Sequence, residues 1–262
     1  MGKALLIVLC VVLVIAVCPL LVAGLTPWRL ASNSEPVSLG HGATYVTKGV
    51  QGAVEAELHL VFFDARTCDL HVVEEPLKKG ARSLEKVAIA TAAIAACNGL
   101  YFDVPNFLPS GLQITEGKQQ GELVRNPFSG CVLVRSGSAE LIPINEFTGA
   151  AGVTDFVQCH PMLVVEGRAV QIGAGGPRNT RTFVLTDQAG RWAIGTCKNI
   201  GLQELADVLA TPGVIREFAV KRALNLDGGP STGLWWRDAS GVGHFEKEKW
   251  QVKNMLVITP KK

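Results

Sequence analysis

ALNLDGGPSTGL, residues 223–234, is the stretch from which the rest of the chain is read. An apolar run from Phe218 to Leu226, broken by Lys221, Arg222 and Asn225, ends abruptly in Asp227-Gly228-Gly229-Pro230-Ser231-Thr232. The run reads as a buried strand, and Asp-Gly-Gly-Pro is a strong chain-reversal signal. Two adjacent glycines permit positive φ and let the backbone approach a ligand closely, because no Cβ intervenes. A carboxylate therefore leaves the end of a rigid element, followed by N–H groups and the hydroxyls of Ser231 and Thr232. That grouping suits a substrate with a proton to be moved and an anionic group to be held. An ordinary β-turn uses the same residues, so the decision falls to the rest of the chain.

The 262 residues carry a formal net charge of +2, which argues against nucleic acid as a partner. Ala4 to Leu25 runs 22 residues without a charge, which predicts a signal peptide or N-terminal membrane anchor over residues 1–25. Residues 26–39, with Pro27, Ser32, Asn33, Ser34 and Pro36, read as a linker, leaving 40–262 as an exported body. Outside the apolar segment, Cys68, Cys97, Cys131, Cys159 and Cys197 are an odd, widely spaced set without CxxC. They read as buried thiols, and no metal site is expected.

Within the body, Glu57–Phe63 and Asp69–Val73 predict two strands joined as a hairpin through Asp64–Cys68. Ser83 predicts the N-cap of a helix running to about Ala93, whose apolar face includes Leu84, Val87, Ala88, Thr91 and Ala95. Asn98-Gly99 then ends a short apolar element ahead of Tyr101, Phe102 and Asp103. Short strands follow at 110–114, 130–134 and 162–165, the last opened by His160-Pro161 at what reads as a strand mouth and closed by Glu166-Gly167. Gly173–Pro177 lacks the lysine and following helix of a Walker loop. Arg178 and Arg181, three apart and leading into a strand, suit a paired clamp on a phosphate. Gly201–Leu209 predicts a second helix, and Gln251–Ile258 a final strand. Because helices and strands do not alternate, the expected fold is α+β: a single domain with a large, mostly antiparallel mixed sheet and a few helices.

Four blocks in order give this body a recognisable character: NGLYFD at 98–103, PSGLQITEG at 109–117, HPMLVVEG at 160–167 with RNTRT at 178–182, and ALNLDGGPST at 223–232. On these blocks the sequence resembles the phosphodiester glycosidase family, in particular its exported bacterial branch, over roughly Leu58–Ile258. Two departures stand out. Leu100 occupies a usual glycine position, and Pro230 replaces a usual glycine or serine, removing one N–H.

The resemblance implies hydrolysis of the bond between a sugar's anomeric carbon and a phosphodiester oxygen. It maps family residues onto Asn98, Asp103, Arg181, Asp227, Gly228, Gly229 and Ser231 or Thr232. In the mechanism this suggests, Arg181, helped by Arg178, Gly228, Gly229 and Ser231, binds the phosphate. Asp227 acts as general base or nucleophile, Asp103 or Glu166 is a second carboxylate, and Asn98 meets a sugar hydroxyl. No cofactor is called for. The implied partners are a phosphorylated glycan or sugar-1-phosphodiester, and the membrane through the N-terminus. The competing expectation is a non-catalytic binder of anionic envelope glycans. A serine hydrolase built on Ser231 lacks the GxSxG elbow.

Overall fold

A computed structural model describes residues 27–75, 82–103, 108–173 and 175–262. The apolar segment 1–25, read as a signal peptide or anchor, lies outside the described residues, and no described helix is long and apolar enough to cross a membrane. Among the described residues three sheets carry the fold. The first has nine strands. In order across it run Arg29–Asn33, Ala43–Gln51, Glu55–Asp64, Arg191–Ile200, Asn179–Thr186, Arg222–Asn225, Met162–Val165 and Arg168–Ala169. Val37–Gly40 pairs beside Ala43–Gln51. The second sheet runs Ser138–Pro143, Gly130–Arg135, Val153–Cys159, Gln113–Thr115, Lys118–Gln120. The third runs Gly243–Glu246, Leu234–Arg237, Ala95–Asn98, Asn254–Pro260, Cys68–Glu74.

Every pairing between these strands is antiparallel. The expected single mixed sheet is therefore three antiparallel ones. Two α-helices accompany them among the described residues, so α+β describes the protein only loosely.

The largest core cluster lies where the three sheets meet. Phe63, Trp192 and Leu224 of the first sheet meet Val132 and Val157 of the second and Val72, Cys97 and Leu256 of the third. Helix α2 (Leu202–Ala210) covers the other face of the first sheet with Leu205, Ala206 and Leu209. Its first turn is tied by Glu204, whose carboxylate accepts the Gly201 N–H at 2.9 Å. Helix α1 (Leu84–Ala90) packs Leu84, Val87 and Ala88 against Trp235, Met255 and Val257 of the third sheet.

Three expectations are corrected here. Glu55–Asp64 and Cys68–Glu74 do not form a hairpin; they belong to different sheets. The corner between them is fixed from outside, with Ala65 N donating to Gly190 O at 2.8 Å. An alternating pattern specifies a strand but not its partner, and Leu60–Phe63 is buried on both faces. Helix α1 has its expected Ser83 cap but ends at Ala90, and Ala95 belongs to a strand. The end is a Schellman motif: Ala93 N donates to Ala88 O and Ala92 N to Ile89 O, with Ala92 at φ +53°. Alanine stands where glycine would have marked the stop. Finally, residues 26–39 are not a bare linker, since Arg29–Asn33 and Val37–Gly40 are paired strands. Lys48, fully buried, anchors the first through Asn33 Oδ1 at 2.6 Å and also meets Glu217 at 2.9 Å.

Candidate active site

Three adjacent strands of the first sheet end together, and their ends carry Arg181, Asp227 and His160. Phe183 pairs with Asn225, and Leu226 N donates to Thr182 O at 2.8 Å, which sets Asp227 beside Arg181. On the other flank Asn225 N donates to Pro161 O at 3.0 Å. Neighbouring strands lie about 4.8 Å apart. A cation, a carboxylate and an imidazole are thus lined up along one sheet end.

The loop after Asp227 shows why two glycines are needed. A Cβ on Gly228 would stand 2.8 Å from Thr180 O, and Gly229 has φ +60°. Gly229–Ser231 then forms a 3₁₀ turn with Pro230 in its first turn. Its amides are largely spoken for. Gly228 N donates to Asp227 Oδ1 at 2.8 Å, Ser231 N to Gly228 O at 3.3 Å and Thr232 N to Gly229 O at 3.1 Å. Pro230 has no N–H to give. The loop therefore positions Asp227 more than it cradles an anion.

Asp227 is half-buried, and burial pushes its carboxyl above the ordinary aspartate value, opposed by the Ser231 hydroxyl and the Gly228 N–H. Arg181 is also half-buried, which lowers its guanidinium, and among the described residues it forms no ion pair with a carboxylate. Its Nε and Nη2 donate to Ile200 O at 3.2 Å and Pro177 O at 2.6 Å. These backbone contacts orient the guanidinium without neutralising it.

Asn98 is buried, and both ends of its amide are used internally. Nδ2 donates to Asp227 O at 2.7 Å, while Oδ1 accepts from Thr182 Oγ1 at 2.7 Å and Gly233 N at 3.1 Å. Instead of meeting a sugar hydroxyl, Asn98 is a positioning residue that fastens the Asp227 loop to the third sheet.

Two other expected residues lie elsewhere. Arg178 forms a two-pronged pair with Glu204 of α2 at 2.6 and 3.1 Å, so a carboxylate already fills its fork. Glu166 sits in the left-handed turn after Met162–Val165 and meets Arg222 at 3.3 Å. Arg222 begins the strand that ends before Asp227, five residues on, which is roughly 16 Å of extended chain. Glu166 is thus at the wrong end of the sheet to be the second carboxylate. Asp103 is exposed, and its N–H donates to Leu108 O at 2.8 Å across a loop whose 104–107 segment is outside the described residues. Thr232 Oγ1 donates to Thr180 O at 3.4 Å, and His160 stacks on Tyr101 with ring centroids 4.9 Å apart. Burial lowers the His160 imidazole below its ordinary value.

Two residues join the site without having been singled out for it. Tyr101 lies electrostatically between Asp227 and Arg181, and burial pushes its phenol up. Its hydroxyl donates to His160 O at 3.0 Å and accepts from Asn225 Nδ2 at 2.7 Å. Asn225 Nδ2 also reaches His160 O at 3.0 Å. The available signal was an amide interrupting the apolar run Phe218–Leu226. Among the described residues no cluster of His, Cys, Asp and Glu fits a metal ion.

The sequence profile of the phosphodiester glycosidase family matches residues 91–259, more than half of the chain. Among solved structures, the fold is similar to that of a hypothetical protein from Synechocystis, at 15% identity and TM-score 0.62, covering 84% of this chain and 62% of that one. It is also similar to the catalytic domain of zebrafish N-acetylglucosamine-1-phosphodiester alpha-N-acetylglucosaminidase auto-inhibited by its pro-peptide. There the identity is 17%, the TM-score 0.58, and the coverage 90% of this chain and 89% of that one. A third likeness, at 12% identity and TM-score 0.53, is to a Burkholderia pseudomallei protein described as exported, covering 82% and 74% of the two chains. The chain thus spans less than two thirds of the Synechocystis protein. At identities this low the likenesses speak to fold alone. No curated protein matches the sequence.

Proposed function

The chain belongs to the phosphodiester glycosidase family, hydrolases of phosphodiester-linked sugars, and on that premise we propose that it is an exported enzyme cleaving sugar-1-phosphodiesters of an envelope or extracellular glycan. The observation that carries this reading is Arg181. It is a half-buried guanidinium, oriented by backbone carbonyls and in no ion pair with a carboxylate among the described residues, one strand away from a half-buried carboxylate. A desolvated cation in that state suits a phosphodiester anion, which gives it two oxygens in one plane.

In the proposed reaction the phosphate rests on Arg181 and the anomeric carbon faces Asp227. Asp227 takes a proton from water as the water oxygen bonds to that carbon, or attacks the carbon itself and is displaced by water afterwards. The bond from carbon to phosphate oxygen breaks, and its electrons leave with the phosphomonoester. That group is already a good leaving group held against a cation, so the demand for a strong acid is small. The burial that raises the Asp227 carboxyl also makes it a better base. Asn98 and Ser231 hold it in place, while Tyr101, stacked on His160, adjoins both Asp227 and Arg181. Export rests on the uncharged Ala4–Leu25 stretch.

A set of sugar-1-phosphodiesters incubated with the protein tests this. Free sugar and phosphomonoester should appear in equal amounts. Release of neither product, with binding intact, would replace the reading by a non-catalytic glycan-binding protein.

A further inference from the structure

The segment from Glu246 to Trp250 takes no direct part in the chemistry above, yet it holds the turn that follows Asp227. Its Lys249 and Trp250 amides both donate to Pro230 O, at 2.8 and 3.0 Å. Pro230 immediately precedes Ser231, whose hydroxyl bonds the Asp227 carboxylate. The main chain of Asp227 is held separately. Its N–H donates to Gly99 O at 3.0 Å, and its carbonyl accepts from Asn98 Nδ2 at 2.7 Å. The ties therefore divide the work: Gly99 and Asn98 fix the Asp227 backbone, and segment 246–250 fixes the turn that brings Ser231 to its carboxylate.

That segment is itself anchored by two acidic residues. Glu246 Oε2 accepts from Thr196 Oγ1 at 2.7 Å, while its Oε1 accepts from Lys198 Nζ at 3.2 Å and lies 3.4 Å from His59 Nε2. Buried Glu248 accepts the Leu84 N–H at 3.1 Å and packs on Gly233, where an added Cβ would stand 3.3 Å from Glu248 Cβ. Thr196 is the direct strand partner of Thr182, whose hydroxyl donates to Asn98 Oδ1. Directly paired residues share one face of a sheet. Two neighbouring threonines of the first sheet thus secure both holders of the Asp227 loop, Thr182 through Asn98 and Thr196 through Glu246.

We propose that Glu246 is a positioning residue for Asp227, acting through segment 246–250 and Pro230 to keep the Ser231 hydroxyl on the Asp227 carboxylate. The test is a pH titration of the Asp227 carboxyl carbon followed by NMR, the signal assigned by its loss in Asp227→Asn. Glu246→Ala should move that titration upward. The Ser231 hydroxyl that opposes burial is released, while Gly99 and Asn98 keep the residue in its buried place. Tyr101 and Cys159 feel the Asp227 charge, but burial pushes both up, so neither titrates in the carboxylate range. Thr196→Val breaks one of the same bonds from the sheet side and should move the titration the same way by less, which carries the test if Glu246→Ala does not fold. Arg82→Ala breaks a pair with Glu75 beside the third sheet and should leave the titration where it is. In turnover of a sugar-1-phosphodiester, Glu246→Ala should lower kcat about fivefold and leave KM within about twofold, since Arg181 is untouched. An unmoved or lowered titration in Glu246→Ala, an equal shift in Arg82→Ala, or a loss confined to KM would overturn the proposal. The kinetic arm rests on the hydrolase reading and the titration does not. If the wild-type protein releases no sugar, that reading fails and the titration alone decides.

Discussion

Asp227 holds a charge at a cost to stability, because burial raises its carboxyl above the unfolded-state value. A raised carboxyl contributes stability below the ordinary value of about 3.9 and loses it as pH rises through the folded value. At pH 7 the ionised group is therefore a burden. Asp227→Asn should abolish release of sugar yet raise Tm by about 2 °C, read by calorimetry beside the activity assay. A stabilised but active variant would remove Asp227 from the chemistry. The same shift puts the acid limb of kcat/KM above the ordinary aspartate value. The two arginines separate just as sharply. Arg181→Lys should raise KM at least tenfold, since an ammonium cannot make the planar two-pronged contact. Arg178→Ala, at an exposed pair with Glu204, should leave stability little changed and KM within about twofold. Equal effects on KM would restore the paired clamp that the spacing suggests.

Among the elements, those with local signals were legible in the chain. Ser83 capped α1, and Glu166-Gly167 made a left-handed turn between short strands. The end of α1 was not legible, because Ala92 occupies the left-handed position without glycine's signature. That residue pays a local penalty, so Ala92→Gly should stabilise the protein by about 1 kcal/mol in urea unfolding with an unchanged slope. A loss of stability would mean that the Ala92 methyl group packs more than the strain costs. The hairpin expected around Asp64–Cys68 failed for another reason. Alternation is a property of one strand, whereas pairing is decided by partners such as Arg191–Ile200 and Asn254–Pro260, far along the chain.

At the level of the whole molecule, acid should act in two stages. Burial depresses the His160 imidazole, so its contribution is complete above the ordinary value of about 6.5 and is lost as pH falls through the folded value. Glu204, lowered mainly by Arg178, and Asp64, lowered mainly by Arg66, lose theirs only below the ordinary carboxylate range. Tm should therefore decline first below about pH 6.5 and again in the carboxylate range. His160→Asn should remove the first decline alone, and its persistence would assign it to another group. Taken by itself, the sequence determined the family blocks, the strand-rich character, the glycine turn that presents Asp227, and Arg181 as the phosphate candidate. These rest on residue type and short spacing, which need no partner. Tertiary structure alone decided that there are three sheets, that Asn98 is a fastener, that Arg178 and Glu166 are engaged elsewhere, and that Tyr101 and Asn225 join the site. Each of those depends on which groups meet across a sheet end, and a pairing between distant strands is written in no single stretch of the chain.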